Sequence, residues 1–144
     1  MQIYIEIQAS DCPRAIAFYT SIFPLWRFST TPEPGLPIVY HRGYFSSPSA
    51  PGEPDPAFPA AINILQRPAP APPTESGTNA FVCSFPVPDE AALDELEGKV
   101  VAGGGQVALP KFPVPGRGWH GYFVDTEGNT FGVFTTEYRN EANP

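Results

Sequence analysis

The sequence predicts an α+β domain in which one supersecondary unit, βαβββ, is written twice. Three observations predict it. Each half opens on a strand-like segment, the first of them cleanly alternating, an aspartate follows each of these segments where a helix would start, and three more strand-like segments follow each helix. The repeat lies in the order of elements rather than in residue identity, and predicts a pseudo-twofold domain with a site shared between its halves. The expected organisation is a single domain over 1–144, with module one at about 1–67, a connector at 68–78 and module two at 79–138.

The first strand is read from Ile3, Ile5 and Ile7 alternating with Tyr4, Glu6 and Gln8. Ser10-Asp11 supplies an N-cap, and Pro13 falls in the first helical turn, where its missing N–H is tolerated. Ala15, Ile16, Phe18, Tyr19, Ile22 and Phe23 recur at helical spacing until Pro24 ends the helix. Strands are then expected at Leu25 to Phe28 and Leu36 to His41, split by the turn residues Thr31 to Gly35. A Pro/Ser/Gly-rich loop over about 46–59 is of a length usually functional or mobile. Ala60 to Gln66 alternates again as a fourth strand.

Twenty prolines in 144 residues are unusual, and several gather at 68–73, favouring an extended connector. In the second half, a strand is expected over Asn79 to Val87. Pro88-Asp89 caps a helix whose buried face is Ala92, Leu93, Leu96 and Val100, and Gly103-Gly104-Gly105 ends it. Strands follow at Gln106 to Leu109, Trp119 to Val124 and Thr130 to Thr135. The last two are joined by the turn Asp125-Thr126-Glu127-Gly128-Asn129.

Charge and cysteines narrow the function classes. The net charge is −7 and the eight basic residues are scattered, so neither nucleic acid nor an anionic membrane is an expected partner. Cys12 and Cys83 lack metal-type spacing and are too few for a disulfide scaffold. Met1 to Ile7 has no basic n-region, and no run approaches the roughly 18 apolar residues of a membrane span. A cytoplasmic protein is the expectation.

Glu6 to Asp11 running into Arg14-Ala15 and Phe18-Tyr19 resembles the first module of the vicinal oxygen chelate (glyoxalase/bleomycin-resistance/dioxygenase) superfamily. Gly103 to Gly105, the Pro113 to Gly118 turn and Tyr122 to Gly132, with its Asp-x-x-Gly-Asn run, resemble the second module. The resemblance covers nearly the whole chain. It implies a curved mixed sheet from each module around a cupped site, where metal-using relatives hold a divalent ion with His, Glu or Gln. The corresponding positions here are Tyr4, Asn63, the stretch Asn79 to Phe81, and Gly132. None supplies a good ligand, so no metal cofactor is expected. The resemblance also admits a homodimer, because relatives pair modules across chains, although no residue pattern here specifies one.

Strand alternation selects other candidates. If Ile3, Ile5 and Ile7 face the helix, then Tyr4, Glu6 and Gln8 face the other way; likewise Asn63 opposes Ile62 and Ile64, and His120 and Tyr122 oppose Phe123. His41 is ambiguous in face. The expected set is Glu6, His120 and Tyr122 as acid/base groups, with Tyr4, Asn63, His41, Trp119 and Phe134 lining a ligand. A carboxylate among aromatics and a histidine can serve as general base and acid. Glu6, His41 and His120 form the alternative, a displaced metal site. Each residue also has a simpler reading: Glu6 solvated on an edge strand, Tyr4 and Tyr122 as rim or core aromatics, His120 at an exposed loop end, Cys12 as an inert thiol.

The expected function is binding of, or acid/base action on, a small organic molecule, as in an isomerase, cyclase, lyase or resistance-type binding protein. A metal-dependent lyase or dioxygenase, or an interaction module using the proline-rich segments, are the alternatives.

Overall fold

In the computed structural model, the described residues are 3–58, 60–73, 82–115 and 118–135. The chain divides into two compact units, Met1–Ala71 and Pro72–Pro144, here called module one and module two. Module one comprises β1 (Ile3–Ala9), α1 (Cys12–Ile22), β2 (Trp26–Phe28), β3 (Tyr40–His41), β4 (Gly43–Phe45) and β5 (Ala60–Gln66). Module two comprises β6 (Cys83–Val87), α2 (Glu90–Ala102), β7 (Gln106–Val114), β8 (Gly118–Val124) and β9 (Thr130–Thr135).

Apart from β3, a fifth strand of module one that pairs only with β5, the two sheets have one topology. In module one the strand order is β1-β5-β4-β2, with β1 parallel to β5 and the rest antiparallel; in module two it is β6-β9-β8-β7, with β6 parallel to β9. In each, the first strand lies beside the last, which the intervening helix permits by carrying the chain across the sheet. Both helices start on an aspartate: the Arg14 N–H donates to Asp11 Oδ1 at 3.0 Å and the Ala92 N–H to Asp89 Oδ1 at 2.8 Å. These bonds satisfy donors that the first helical turn leaves without partners.

Each helix covers one face of its own sheet. In module one, Ala15, Phe18, Tyr19 and Ile22 are buried with Ile7, Ile62, Ile64 and Trp26, and the Tyr19 and Phe23 rings stack on Trp26 at 5.3 and 4.3 Å. In module two, Leu93, Leu96 and Val100 are buried with Phe85, Phe123, Phe131 and Val133. Fully burying each such side chain contributes about 1.5–3 kcal/mol. That sum outweighs any single polar contact, so it dictates which face each strand turns to its helix.

Three expectations are corrected. The strand expected over Leu36 to His41 is confined to Tyr40–His41. Pro37 has no N–H to give a ladder, and Leu36, Ile38 and Val39 are exposed. A strand at Gly43–Phe45 was not foreseen. It pairs with both β2 and β5, and Gly43 is where it must approach them closely: a Cβ there would overlap the Ile62 carbonyl oxygen and lie 2.8 Å from the Arg27 oxygen. The strand expected to end at Leu109 continues to Val114. Pro110 and Pro113 are tolerated because β7 is a sheet edge, with register shifts on either side of Leu109. The Pro/Ser/Gly-rich loop folds back on itself through a Ser46–Pro54 bridge and a bond from Gly52 N–H to Ser46 Oγ.

Asn79, Ala80 and Phe81 lie outside the described residues. Among the described residues no helix is long and apolar enough to cross a membrane.

Candidate functional site

The face of each sheet turned away from its helix carries the polar and aromatic candidates, and the strand register states which of them meet. In module two, β9 pairs with its neighbours through Ser84–Gly132, Pro86–Phe134, His120–Phe134 and Tyr122–Gly132, and β7 pairs Phe112 with His120. Paired residues point to one face. Ser84, Phe112, His120, Tyr122 and Phe134 therefore share the helix-free face, over Gly132.

His120 is the centre of this group. Its ring lies 4.6 Å from Tyr122, 5.9 Å from Phe112 and 6.0 Å from Phe134, and its Nε2 is 3.3 Å from Ser84 Oγ. Burial among these rings holds the imidazole below its ordinary pKa, which leaves it neutral at pH 7. A neutral imidazole with one nitrogen engaged by a hydroxyl is a proton acceptor or donor in a largely apolar setting. Gly132 makes this arrangement possible, since a Cβ there would overlap Ser84 Oγ and lie 2.8 Å from His120 Nε2.

Trp119, expected beside His120, is one residue off in the alternation and lies on the other face. Its ring takes the Lys111 ammonium at 5.2 Å, and Lys111 is in turn held by Glu90 at 2.6 Å and Asp94 at 2.7 Å on α2. These carboxylates raise the Lys111 pKa. Trp119 thus belongs to the helix-facing packing and not to the His120 group.

In module one, β1 and β5 pair Tyr4 with Ala61 and Glu6 with Asn63, β3 pairs Tyr40 with Leu65, and β4 pairs Tyr44 with Ala61. Tyr4, Glu6, Asn63, Tyr40 and Tyr44 accordingly share the helix-free face. The Tyr40 hydroxyl donates to Glu6 Oε1 at 3.0 Å. Burial first, then this bond to a carboxylate, raises the phenol's pKa and keeps it protonated. Asn63, 1% exposed, accepts the Gly43 N–H at 3.1 Å where β3 gives way to β4. Its buried Nδ2 makes no well-formed hydrogen bond, although it lies near enough to favour the Tyr40 phenolate weakly.

His41 does not join this group. It pairs with Ile64, so it faces the helix side, is 3% exposed and meets the Ser29 carbonyl through Nδ1 at 2.8 Å. The expected displaced metal site of Glu6, His41 and His120 is therefore not formed in module one, because strand alternation puts Glu6 and His41 on opposite faces. Among the described residues, no three His, Cys, Asp or Glu side chains converge to hold an ion.

The three of the ligand positions implied by the resemblance that lie among the described residues do not fit a divalent ion either. Tyr4 is a phenol 56% exposed, the Asn63 oxygen is taken by Gly43, and Gly132 has neither a side chain nor room for one.

Sequence reasoning missed Tyr40, Tyr44, Ser84 and Phe112. Ser84 was within reach, since it precedes Asp89 by the same five residues that separate Glu6 from Asp11. Phe112 was hidden by the prolines on either side of it. The Asp125 to Asn129 turn proves structural: Asp125 Oδ1 accepts from the Glu127 and Asn129 N–H groups, both at 2.8 Å, and Gly128 has φ +81°.

No family model matches the chain. It is similar to two curated relatives, each named "Putative glyoxylase CFP32", from Mycobacterium bovis and Mycobacterium tuberculosis. Each is 29% identical over 131 residues, which are 91% of this chain and 44% of the relative. The chain thus spans less than half the length of the curated relatives it matches. Among solved structures it is similar to a glyoxylase/bleomycin resistance protein/dioxygenase domain from Frankia sp. EAN1pec. The TM-score is 0.66 at 17% identity, over 92% of this chain and 89% of that one. It is also similar to a point variant of the fosfomycin resistance protein FosX from Listeria monocytogenes, complexed with Mn(II) and 1S,2S-dihydroxypropylphosphonic acid. There the TM-score is 0.67 at 17% identity, over 96% and 95% of the two chains. The chain has the fold of the glyoxalase/bleomycin-resistance/dioxygenase superfamily, the family that its Asp11 and Asp125 motifs resemble.

Proposed function

We propose that the protein binds a small organic molecule on the helix-free face of module two and transfers a proton on it through His120, without the metal that the family fold implies. The observation that carries this reading is His120 itself: neutral, ringed by Phe112, Tyr122 and Phe134, and hydrogen-bonded to Ser84. The aromatic rings supply apolar surface for an organic ligand, and the few polar groups among them orient it. A histidine held below its ordinary pKa by burial is neutral at pH 7 and suited to act there as general base. Similarity to proteins named as glyoxylase and as fosfomycin resistance protein is consistent with small-molecule chemistry. The metal-free part rests on the identity of the residues at the ligand positions, Tyr4, Asn63 and Gly132.

Elemental analysis of the purified protein, with thermal shift across Mn, Fe, Co, Ni and Zn, tests the metal-free part. The expected result is no stoichiometric ion and no stabilisation by any of them. One bound ion per chain would overturn it. For the site, a screen of small organic acids, epoxides and carbonyl compounds by thermal shift should yield a stabilising compound. His120→Ala should abolish any turnover of it, and Phe134→Ala should weaken its binding; hits indifferent to both variants would sink the assignment.

A further inference from the structure

The bond between Ser84 and His120 joins a hydroxyl to a neutral imidazole, the pairing that makes a weak oxygen nucleophile reactive. Strand register brings the two together. Ser84 on β6 pairs with Gly132, and His120 on β8 pairs with Phe134, two residues further along β9. Because β6 and β8 flank β9, Ser84 Oγ and His120 Nε2 approach from its two sides and meet at 3.3 Å over the residue without a side chain. A Cβ at Gly132 would overlap Ser84 Oγ and lie 2.8 Å from Nε2, so the glycine is a condition of their meeting.

A nucleophile and its base depend on a third group that orients the base. Here aromatic stacking does so. The imidazole is 1° from parallel with Phe112 at 5.9 Å and 25° from parallel with Tyr122 at 4.6 Å, and Phe134 lies at 6.0 Å. A ring held this way keeps Nε2 aimed at Ser84, and the same rings offer apolar surface to an acyl group. Ser84 and His120 are both half-buried, which leaves them open to a substrate.

The matching places in module one hold Glu6 and Tyr40. Burial and the bond to the carboxylate keep that phenol protonated. The repeat alone therefore does not produce a nucleophile with a base; the exchange of Glu6 for Ser84 and of Tyr40 for His120 does.

We propose that Ser84 is a nucleophile activated by His120, and that module two takes up the acyl group of small activated esters. This rests on the proton-transferring role proposed for His120 and names its proton partner and substrate class. Ser84 Oγ bonds to the ester carbonyl carbon while its proton passes to His120 Nε2. The bond from that carbon to the alcohol oxygen breaks, the departing oxygen takes the proton from Nε2, and the acyl group stays on Ser84. Water then attacks the acyl carbon and gives a proton to Nε2; the bond to Oγ breaks, and Oγ recovers that proton. Nothing is oxidised or reduced. Burial that keeps the imidazole neutral also makes it a modest base, so the leaving group must be readily expelled, as in phenolic esters rather than amides.

The test treats the full chain with a fluorophosphonate, which captures activated serines with loss of fluoride, and separately with p-nitrophenyl acetate. The fluorophosphonate should attach about one group per chain, and peptide mass mapping should find it on Ser84. Ser84→Ala should abolish the labelling and His120→Ala should slow it about a hundredfold, the scale of a general base. Nitrophenol release should begin with a burst of about one equivalent per chain. Cys83→Ser, which removes an exposed thiol on the opposite face of β6, should leave both results intact. Thermal melts of the variants would verify folding, and the mapping needs no variant at all. Absence of label on Ser84, or labelling as fast in His120→Ala, would overturn the proposal. Ester turnover that survives Ser84→Ala but not His120→Ala would remove the nucleophile and leave the role proposed for His120 standing; turnover indifferent to both would remove both.

Discussion

Five residues before its helix-capping aspartate, module one carries Glu6, hydrogen-bonded to Tyr40; at the same distance before its own, module two carries Ser84, hydrogen-bonded to His120. Tyr40 and His120 also correspond, each paired two residues beyond the position that faces Glu6 or Ser84 on the last strand. That facing position is Asn63 in one module and Gly132 in the other. The two halves thus keep the strand order, the cap and even a cross-strand hydrogen bond between the same two places, while exchanging an anionic, tyrosine-rich face for a neutral, histidine-centred one. The helix-facing side is held by buried apolar area and diverges little in kind. The opposite face contributes less to folding, which leaves its chemistry free to change.

The two glycines at the hearts of these faces give the sharpest way to break the comparison. Gly43 is hemmed in largely by backbone, the carbonyl oxygens of Ile62 and Arg27, whereas Gly132 meets mainly the side chains of Ser84 and His120. Gly43→Ala should destabilise the protein by about 3 kcal/mol and Gly132→Ala by about 1 kcal/mol, because side chains can rotate away and ladder carbonyls cannot. Urea unfolding would measure both. Equal losses would mean that the His120 group is packed as rigidly as a strand crossing. Gly132→Ala should also separate Ser84 from His120, visible as a changed imidazole NMR signal.

The caps test the likeness rather than the difference. Asp11→Ala and Asp89→Ala should each lose about 1 kcal/mol in the same assay, since each removes a capping bond to a first-turn N–H. A clear inequality would show that the repeat is topological only.

The smallest effect expected is on pH. Burial depresses the His120 pKa in the folded state, so the unfolded chain binds the proton more tightly. Stability from this group is present above the ordinary imidazole value of about 6.5 and is lost as pH falls through the lower, folded value. Thermal melts between pH 7.5 and 5 should show a slight acid-side decline that His120→Gln reduces, by roughly the share of one partly buried imidazole. An unchanged pH dependence in the variant would place His120 in solvent instead.

Much of the architecture was legible because its determinants are local. Period-two alternation marked β1 and β5, aspartates marked both helix starts, and the turn with Gly128 joined β8 to β9 within one or two residues of the observed bounds. Alternation also assigned Tyr4, Glu6, Asn63, His120 and Tyr122 to the helix-free faces correctly. It left His41 undecided, and Trp119 was expected beside the ligand against it. For His41, the adjoining Val39 and Tyr40 give no face preference, and only pairing with Ile64 resolves it. Trp119 follows the parity that puts it opposite His120, but an aromatic next to a candidate histidine draws attention by adjacency in sequence, which on a strand means opposite sides.

Sequence by itself determined the strand–helix–strands order of each half, the two capped helices and the faces of β1, β5 and β8, since each is written in neighbouring residues through periodicity, capping or turn chemistry. Only tertiary structure decided that Tyr40 rather than His41 meets Glu6, that Ser84 and Phe112 complete the surroundings of His120, and that Gly132 opens room for them. Those meetings depend on register between strands far apart in the chain. Register is set by the bulges of β7, the break between β3 and β4 and the packing of each helix, and no local pattern encodes it.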